Sequence, residues 1–199
     1  MPRVSREQTE KNRAAIEESS IRLFRERGLN GVSIAELMGD AGLTHGGFYG
    51  QFDSKEALAA VACAKGFDQA ADAWARRIAK ATDKPGARRN LIEGYLTTTH
   101  RDKPGAGCVA TALAGDVGRE PKDSPVRETY LLGLKDMVAT IALLDEAPDT
   151  PEARAHALLQ LSTMMGAMML ARATKGDPIS DELLASAREF LTGPDSDRT

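Results

Sequence analysis

The side chains best suited to binding chemistry lie close together in the stretch T-H-G-G-F-Y-G-Q-F-D-S-K, residues 44–55. His45 and Tyr49 are four residues apart, so in a helix they share one face. An imidazole can donate to or accept from a base edge, and a phenol can hydrogen-bond to a phosphate. Phe48 and Phe52 have the same spacing and are expected to point inward together. One short helix is therefore predicted to carry a polar binding face and an apolar packing face.

Three glycines, Gly46, Gly47 and Gly50, lie in the same short helix. Each costs about 1 kcal/mol relative to alanine in a helix interior. Close approach of the backbone to a DNA surface is one reason for keeping glycine there. Tolerance of a weak helix that tertiary packing holds in place is the other. Both explanations are consistent with the sequence.

Other chemistry has less support in the sequence. The three histidines, His45, His100 and His156, are far apart and have no acidic residue at metal-ligand spacing. The chain has no glycine-rich phosphate loop, no H-E-x-x-H and no G-x-S-x-G motif. Two cysteines, Cys63 and Cys108, are too few for a disulfide framework. We therefore expect no catalytic residues, no metal and no cofactor, and an all-α enzyme is a disfavoured alternative.

A long helix is predicted to precede this stretch, from Glu7 to Arg27. Gly28 follows its last turn, where a left-handed (αL) C-cap is expected. Apolar or small residues recur on one face of the helix at a spacing of about 3.6 residues. These residues are Ile16, Ser20, Leu23 and Phe24.

Two short helices separated by a glycine turn follow the long helix. Ser33 and the glutamate three residues later have the spacing of a capping box. The helix they start is expected to end near Asp40, with Gly42 making the turn. Thr44 is then placed to N-cap the next short helix, which we expect to run to Gln51. A tight turn between two short helices is typical of a helix-turn-helix, whose second helix can lie in the DNA major groove.

The rest of the chain also has helical patterning. Ser54 is placed to cap a long helix that runs to about Thr82, and Ser-Pro and Thr-Pro pairs mark two later helix starts. Further helices are predicted at residues 87–100, 108–117, 125–145, 151–174 and 180–192, with loops at 83–86 and 102–107. No segment shows sustained strand alternation, so the sequence predicts an all-α fold of about nine helices.

The charge balance does not favour a nucleic-acid partner. The chain has a net charge of −3, and its first 60 residues hold 8 Lys and Arg against 9 Asp and Glu. Attraction to phosphates must therefore come from local placement of cations. The expected cations are Arg3, Arg6, Lys11, Arg13 and Lys55. No apolar run approaches the about 18 residues of a membrane span, so we expect a soluble, cytoplasmic chain with no membrane partner.

The pattern G-L-T-H-G-G-F-Y-G-Q-F-D-S-K-E-A-L resembles the TetR family of repressors over about residues 10–60. The glycine turn, the Phe48-Tyr49 pair, the second phenylalanine and the S-K-E-x-L cap recur in that family. The sequence departs from it at Gly50, where a large polar or aromatic residue is common, and at Gly47, which replaces a frequent Thr, Ser or Ala. The resemblance implies that DNA contacts come from Ser33, Thr44, His45, Gly46, Gly47, Tyr49 and Lys55.

The resemblance also implies an organisation and a function. A helix-turn-helix DNA-binding domain would occupy residues 1–54, and a helical effector-binding and dimerisation domain would occupy residues 55–199. The expected function is ligand-responsive transcriptional regulation, and a repressor is expected rather than an activator. A homodimer would bind a palindromic DNA operator and be released by a small-molecule or electrophile effector. The alternative is a helical interaction module with a degenerate DNA-binding head.

Residues of the middle helices are the candidates for sensing an effector. They are Phe67, Trp74, Tyr95, His100, Cys108, Met137, Ile141 and Met164, although such residues at helical spacing are usually core. Cys108 follows a glycine-containing turn at a predicted helix N-terminus with cations upstream, which favours a reactive thiolate. The other interpretation of Cys108 is a small buried hydrophobe.

The last two long helices are the candidates for dimerisation. Apolar residues cover most of the circumference of the helix 151–174, and the final helix adds further apolar residues. The resemblance implies that they pair with their copies in a four-helix interface. The expected interface residues are Leu158, Leu161, Met165, Met168, Leu184, Ala187 and Leu191. Packing within the core of a single chain is the alternative for these residues.

Overall fold

The computed structural model describes residues 5–193 and has helices but no strands within them, which confirms the predicted all-α class. Arg3, one of the expected cations, lies outside these residues. The described α-helices are α1 (Arg6–Arg27), α2 (Ile34–Asp40), α3 (Lys55–Ile78), α4 (Lys84–Tyr95), α5 (Thr98–Asp102), α6 (Val109–Val117), α7 (Pro125–Ala142), α8 (Pro151–Ala173) and α9 (Pro178–Thr192). Two 3₁₀ helices occupy His45–Gly50 and Pro104–Ala106. No helix in this part of the chain combines the length and the apolar character that crossing a membrane requires.

Contacts divide the described chain into two compact units. The first unit consists of residues as far as Phe67 together with Pro104–Leu131, and the second of Asp68–Lys103 together with residues from Leu132 onward. The first unit therefore contains the predicted helix-turn-helix and also α6, which is distant in sequence. The functional division after residue 54 stays a prediction.

The core of the first unit forms where α1, α2 and the His45–Gly50 helix meet. The predicted inward face of α1 is confirmed, since all four of its residues are buried. Asp40 at the end of α2 accepts hydrogen bonds from Ser19 and Arg22 of α1, and these bonds lower the pKa of Asp40. The buried side chains from the three helices include Ile16, Phe24, Leu37, Met38 and Phe48.

The capping box that starts α2 is present. Ser33 Oγ accepts from the Glu36 backbone N–H at 3.2 Å, and the Glu36 carboxylate accepts from the Ser33 N–H at 2.8 Å. Gly42 makes the following turn with φ +71°. The expected αL conformation of Gly28 is wrong: its φ is +77°, but its ψ of 171° leads the chain away extended. Glycine is still favoured there because of the positive φ.

Helix boundaries in the second unit differ from the sequence prediction. The expected loop at 83–86 is the first turn of α4, where Asp83 Oδ1 accepts from the Gly86 N–H at 2.7 Å and a proline occupies the first turn. The predicted helix 87–100 is two helices, because Thr97 caps a new start by accepting from the His100 N–H at 3.1 Å. Helix α9 begins at Pro178 rather than residue 180, with Asp177 as its N-cap.

The second unit packs one face of α8 inward. Every third or fourth residue of this helix is buried, which gives the 3.6-residue stripe of an amphipathic helix. The buried stripe consists of Ala153, Ala157, Gln160, Leu161, Met164, Met168 and Ala171. Helix α9 adds Leu184, Ala187 and Leu191 to the same core.

Candidate nucleic-acid interface

The segment predicted as the second short helix, with an expected end at Gln51, is a 3₁₀ helix, His45–Gly50. Thr44 occupies its N-cap position, but the Thr44 side chain makes no capping hydrogen bond, so the predicted side-chain cap is wrong. The backbone provides the closure instead, with Gly47 N donating to Thr44 O at 3.0 Å. Short 3₁₀ pieces suit a glycine-rich stretch that is too weak a helix former to extend. The Thr44 side chain is nevertheless exposed.

The two faces of this segment are confirmed. Phe48 and Phe52 are buried with ring centroids 5.9 Å apart. Tyr49 is 64 % exposed, and its ring meets that of His45 edge-on at 6.5 Å. Thr44, His45 and all three glycines of the segment are exposed as well. The segment thus presents a continuous accessible surface above two anchoring phenylalanines.

The fold itself does not require glycine at any of the three positions. A methyl group added at Gly46 or Gly50 would have no atom of the chain within 4 Å. At Gly47 it would make ordinary contact with Met38 Cε at 3.6 Å. None of the three has a positive φ. Neither internal packing nor backbone conformation therefore accounts for glycine at these positions.

Lys55 is distinguished among the cations near this surface. Most described Lys and Arg side chains up to residue 60 are in ion pairs: Arg6–Glu10, Lys11–Glu7, Arg13–Glu17, Arg22–Asp40 and Arg27–Glu36. Arg25 is buried. Within residues 5–60, Lys55 at the start of α3 is the cation that is neither buried nor ion-paired, so a phosphate would not have to displace an ion-pair partner from it.

Arg13 and Ser33 are both already engaged within the chain. The Arg13 guanidinium lies 4.3 Å from the Phe52 ring centroid and donates to Gln51 O at 2.7 Å. The Ser33 hydroxyl donates to the Glu36 carboxylate at 2.8 Å. Hydrogen bonds from the Ser33 backbone and hydroxyl, followed by the charge of Arg27, lower the pKa of Glu36. A phosphate contact by Ser33, which stays a prediction, would have to compete with this carboxylate.

The predicted effector residues are divided between the two units. Phe67 and Cys108 lie in the first unit, where the Phe67 ring meets that of Tyr130 edge-on at 5.6 Å. The other candidates lie in the second unit. There the Tyr95 ring is 6.5 Å from Trp74 and 4.5 Å from His100. The buried members of that group are Trp74, Tyr95, Met137, Ile141 and Met164, and His100 is half-buried.

Cys108 lies at the N-cap position of α6, as expected, and is 5 % exposed. Arg25 of α1 is close enough to interact electrostatically with Cys108 and with Cys63. Burial raises the pKa of Cys63 to about 12, against the opposing effect of Arg25. Arg25 donates to the carbonyl oxygens of Gly66 and Gly105 at 3.2 and 3.3 Å. No local pattern in the sequence distinguishes this buried arginine from its exposed neighbours on α1.

Most of the predicted dimer residues are covered by their own chain. Leu161, Met168 and Leu184 are buried, as are Ala187 and Leu191, while Met165 is half-buried and Leu158 exposed. The large apolar side chains that remain exposed on α8 and α9 share Leu158 with the predicted set and otherwise differ from it. They are Leu158, Leu159, Met169, Leu170, Ile179 and Phe190. The sequence shows that α8 is apolar on several sides, but periodicity alone does not say which side its own chain covers.

Comparison with known proteins gives a family match for one segment and a fold match for most of the chain. Residues 16–62 match the sequence model described as bacterial regulatory proteins, tetR family. Among solved structures, a TetR-family transcriptional regulator from Cytophaga hutchinsonii aligns with a TM-score of 0.77 at 20 % identity, over 96 % of this chain and 98 % of its own. One from Chloroflexus aurantiacus J-10-FL aligns with a TM-score of 0.78 at 24 % identity, over 94 % of both chains.

Escherichia coli NemR in its reduced form also has this fold, with a TM-score of 0.74 at 19 % identity over 90 % of this chain and 94 % of NemR. No curated protein sequence gives a match. The structural likenesses show the fold, and the match over residues 16–62 shows what kind of head that fold carries. Residues 16–62 therefore match the tetR family of bacterial regulatory proteins, and the chain has the fold of TetR-family transcriptional regulators.

Proposed function

We propose that this chain is a transcriptional repressor that binds a palindromic DNA operator as a homodimer and releases it when an effector binds. One observation carries the proposal. The exposed side chains of Thr44, His45 and Tyr49 lie together over the buried Phe48 and Phe52, inside the segment that matches the tetR family. This arrangement supports the proposal, because hydrogen-bonding groups on an exposed face of a helix-turn-helix are available to contact DNA.

Each exposed group has a proposed role in the complex. Thr44 and His45 contact base edges, where a hydroxyl and an imidazole can donate or accept. Tyr49 and Lys55 contact phosphates, which position the head without reading sequence. A nearly neutral head gains its affinity from few cations, so the available charge of Lys55 contributes a large share of the salt-dependent binding.

The proposed partner of the accessible apolar surface on α8 and α9 is a second copy of the chain. Leu158, Leu159 and Leu170 of α8, with Phe190 of α9, are large apolar side chains left uncovered. A methyl group at Gly166 between them would meet no atom within 4 Å, so this part of α8 is open to close helix approach. Two-fold pairing through such a surface gives two heads that match a palindrome.

Release is proposed to follow an effector bound in the helical body. Helix α3 contains residues of both units. A shift of its C-terminal half would therefore move its N-terminal half and the DNA-binding head that precedes it. Two heads whose spacing has changed no longer fit both half-sites. The family and the fold are those of regulators, and we propose no enzymatic activity. Because its target is chromosomal DNA, the cytoplasm is the proposed location.

A thiol-reactive electrophile is one proposed class of effector. The Cys108 sulfur would add across an activated C=C bond, forming an S–C bond while the thiol proton passes to the neighbouring carbon. With Cys108 only 5 % exposed, the adduct has no room without displacing α6 from Arg25 of α1. NemR has the same fold and was solved in a reduced form, which makes thiol chemistry worth testing.

Fluorescence anisotropy with DNA from the region upstream of the chain's own gene tests the DNA-binding part. Wild type should bind selectively, with an affinity that falls steeply between about 50 and 200 mM salt. His45→Ala should weaken binding and relax sequence preference. Lys55→Ala should reduce the salt slope by about 1, while Lys80→Ala, at an exposed lysine just beyond α3, should not. Absence of any selective, salt-sensitive binding would favour an interaction module with a degenerate head.

N-ethylmaleimide tests the electrophile part on the same DNA. Treatment should release wild type and Cys63→Ser but leave Cys108→Ser bound. Mass spectrometry locates the adduct in each sample. Equal release of DNA from wild type and Cys108→Ser would remove Cys108 from the proposal.

A further inference from the structure

A carboxylate from α6 holds the loop that joins α1 to α2. Asp116 Oδ2 accepts a hydrogen bond from the Leu29 backbone N–H at 2.9 Å, across 87 residues of sequence. The Asp116 side chain is 16 % exposed. Its position is matched to Gly28, because a methyl group there would lie 2.5 Å from Asp116 Oδ2. The loop and the carboxylate therefore fit each other only with glycine at position 28.

This loop sets the position at which α2, the first helix of the helix-turn-helix, begins. It leaves α1 at Gly28 with a positive φ and reaches the capping box at Ser33 five residues later. Leu29 and Val32 are buried, so the loop is packed as well as hydrogen-bonded. A change in the direction of the chain at Leu29 would shift the start of α2, and α2 packs directly against the His45–Gly50 helix.

Local forces on α6 do not explain the acid at this position. Asp116 is the penultimate residue of α6, where the negative end of the helix dipole disfavours a carboxylate. Arg119 pairs with its other oxygen, Oδ1, at 3.0 Å but is itself largely exposed. Asp116 is unfavourable for its own helix but well placed to contact another element. Its hydrogen bond from Leu29 is therefore the best explanation for an acid at this position.

We infer that Asp116 is a positioning residue for DNA binding. Its carboxylate fixes the α1–α2 loop so that α2 and the His45–Gly50 helix are presented to the operator in one orientation. Helix α6 therefore helps to orient the DNA-binding helices, although it lies far from them in sequence. The inference rests on the proposed DNA-binding function and adds a residue through which the chain's middle segment acts on that function.

Asp116→Ala and Asp116→Asn, made in the full-length chain, separate positioning from simple stability. Loss of the carboxylate in Asp116→Ala should weaken binding to the upstream DNA by about tenfold at a temperature where the variant is folded. The amide oxygen of Asp116→Asn can still accept from Leu29, so this variant should recover most of the affinity. Arg119→Ala removes the ion pair but keeps the loop contact, and it should bind like wild type.

Amide hydrogen exchange at Leu29 reports on the contact without DNA. Exchange should be faster in Asp116→Ala and close to wild type in Asp116→Asn. Wild-type affinity in Asp116→Ala despite faster exchange would overturn the inference, as would an Asp116→Asn variant that regains protection at Leu29 but not affinity. A wild-type chain that binds no DNA selectively would instead count against the proposed function, and the exchange data would still show whether the contact exists.

Discussion

Replacing Gly46 by alanine should stabilise the protein and weaken its binding to DNA. The stability gain follows from the structure: the position is exposed, its φ is not positive, and an added methyl group meets no atom within 4 Å. A glycine-to-alanine change under these conditions stabilises by about 0.4–1 kcal/mol, mainly because the unfolded chain loses freedom. For a chain of this length, that raises the unfolding midpoint by roughly 1–4 °C.

The loss of binding follows from the proposed place of Gly46 against the DNA. A methyl group inserted into a close-packed contact costs about 1 kcal/mol or more, which is about fivefold or more in affinity. The two effects therefore have opposite signs. A change that only perturbed the fold would lower stability and binding together.

Thermal unfolding and DNA-binding anisotropy on the same preparation measure both effects. Gly39→Ala is the matched control, because Gly39 is also exposed with no atom near an added methyl group, but it lies in α2 outside the proposed contact residues. It should gain stability and keep its affinity. If Gly46→Ala bound DNA as tightly as wild type, close backbone approach at Gly46 would be refuted, and tolerance of a weak helix would explain the glycine.

The capping box and the dimer surface give two further predictions. Folding lowers the pKa of Glu36, so its ionised form stabilises the fold when the pH is above 4.5, the ordinary pKa of the group. This contribution is lost as the pH falls through the lower pKa of the folded state. Glu36→Gln should therefore unfold more easily than wild type near neutral pH, and the difference should vanish at a pH low enough to protonate Glu36 in the folded state. Chemical denaturation at several pH values would show this, and a constant difference would contradict the assignment. Leu170→Glu, at a side chain 55 % exposed on α8, should weaken self-association by about tenfold or more in analytical ultracentrifugation. The control Leu132→Glu, at a side chain 56 % exposed on α7, should leave self-association unchanged. Equal effects of the two substitutions would contradict an interface on α8.

Local patterns in the sequence predict the head well where the deciding interactions are short-range. The capping box needs only Ser33 and Glu36, three residues apart, and it is present. The inward pair of Phe48 and Phe52 follows from their spacing of four. The same kind of reasoning missed the first turn of α4, although Asp83 followed by a proline two residues later is itself a helix-start pattern.

Features that depend on distant parts of the chain could not be read in this way. The conformation of Gly28 is fitted to Asp116, and Arg25 is buried against Gly66 and Gly105. Neither contact has a local pattern, because the partners come from α6, the Pro104–Ala106 helix and α3, which are distant from α1 in sequence. For the same reason the sequence suggests candidate DNA-contacting residues more readily than the residue proposed to orient them.

Footprinting on the region upstream of the chain's own gene tests whether the chain binds an operator. We expect two protected, inverted half-sites whose centres are about 10 base pairs or a multiple of that apart. Protection should require both the dimer surface at Leu170 and the exposed His45. A uniform, sequence-independent pattern or no protection would contradict the claim that this helix-turn-helix binds an operator.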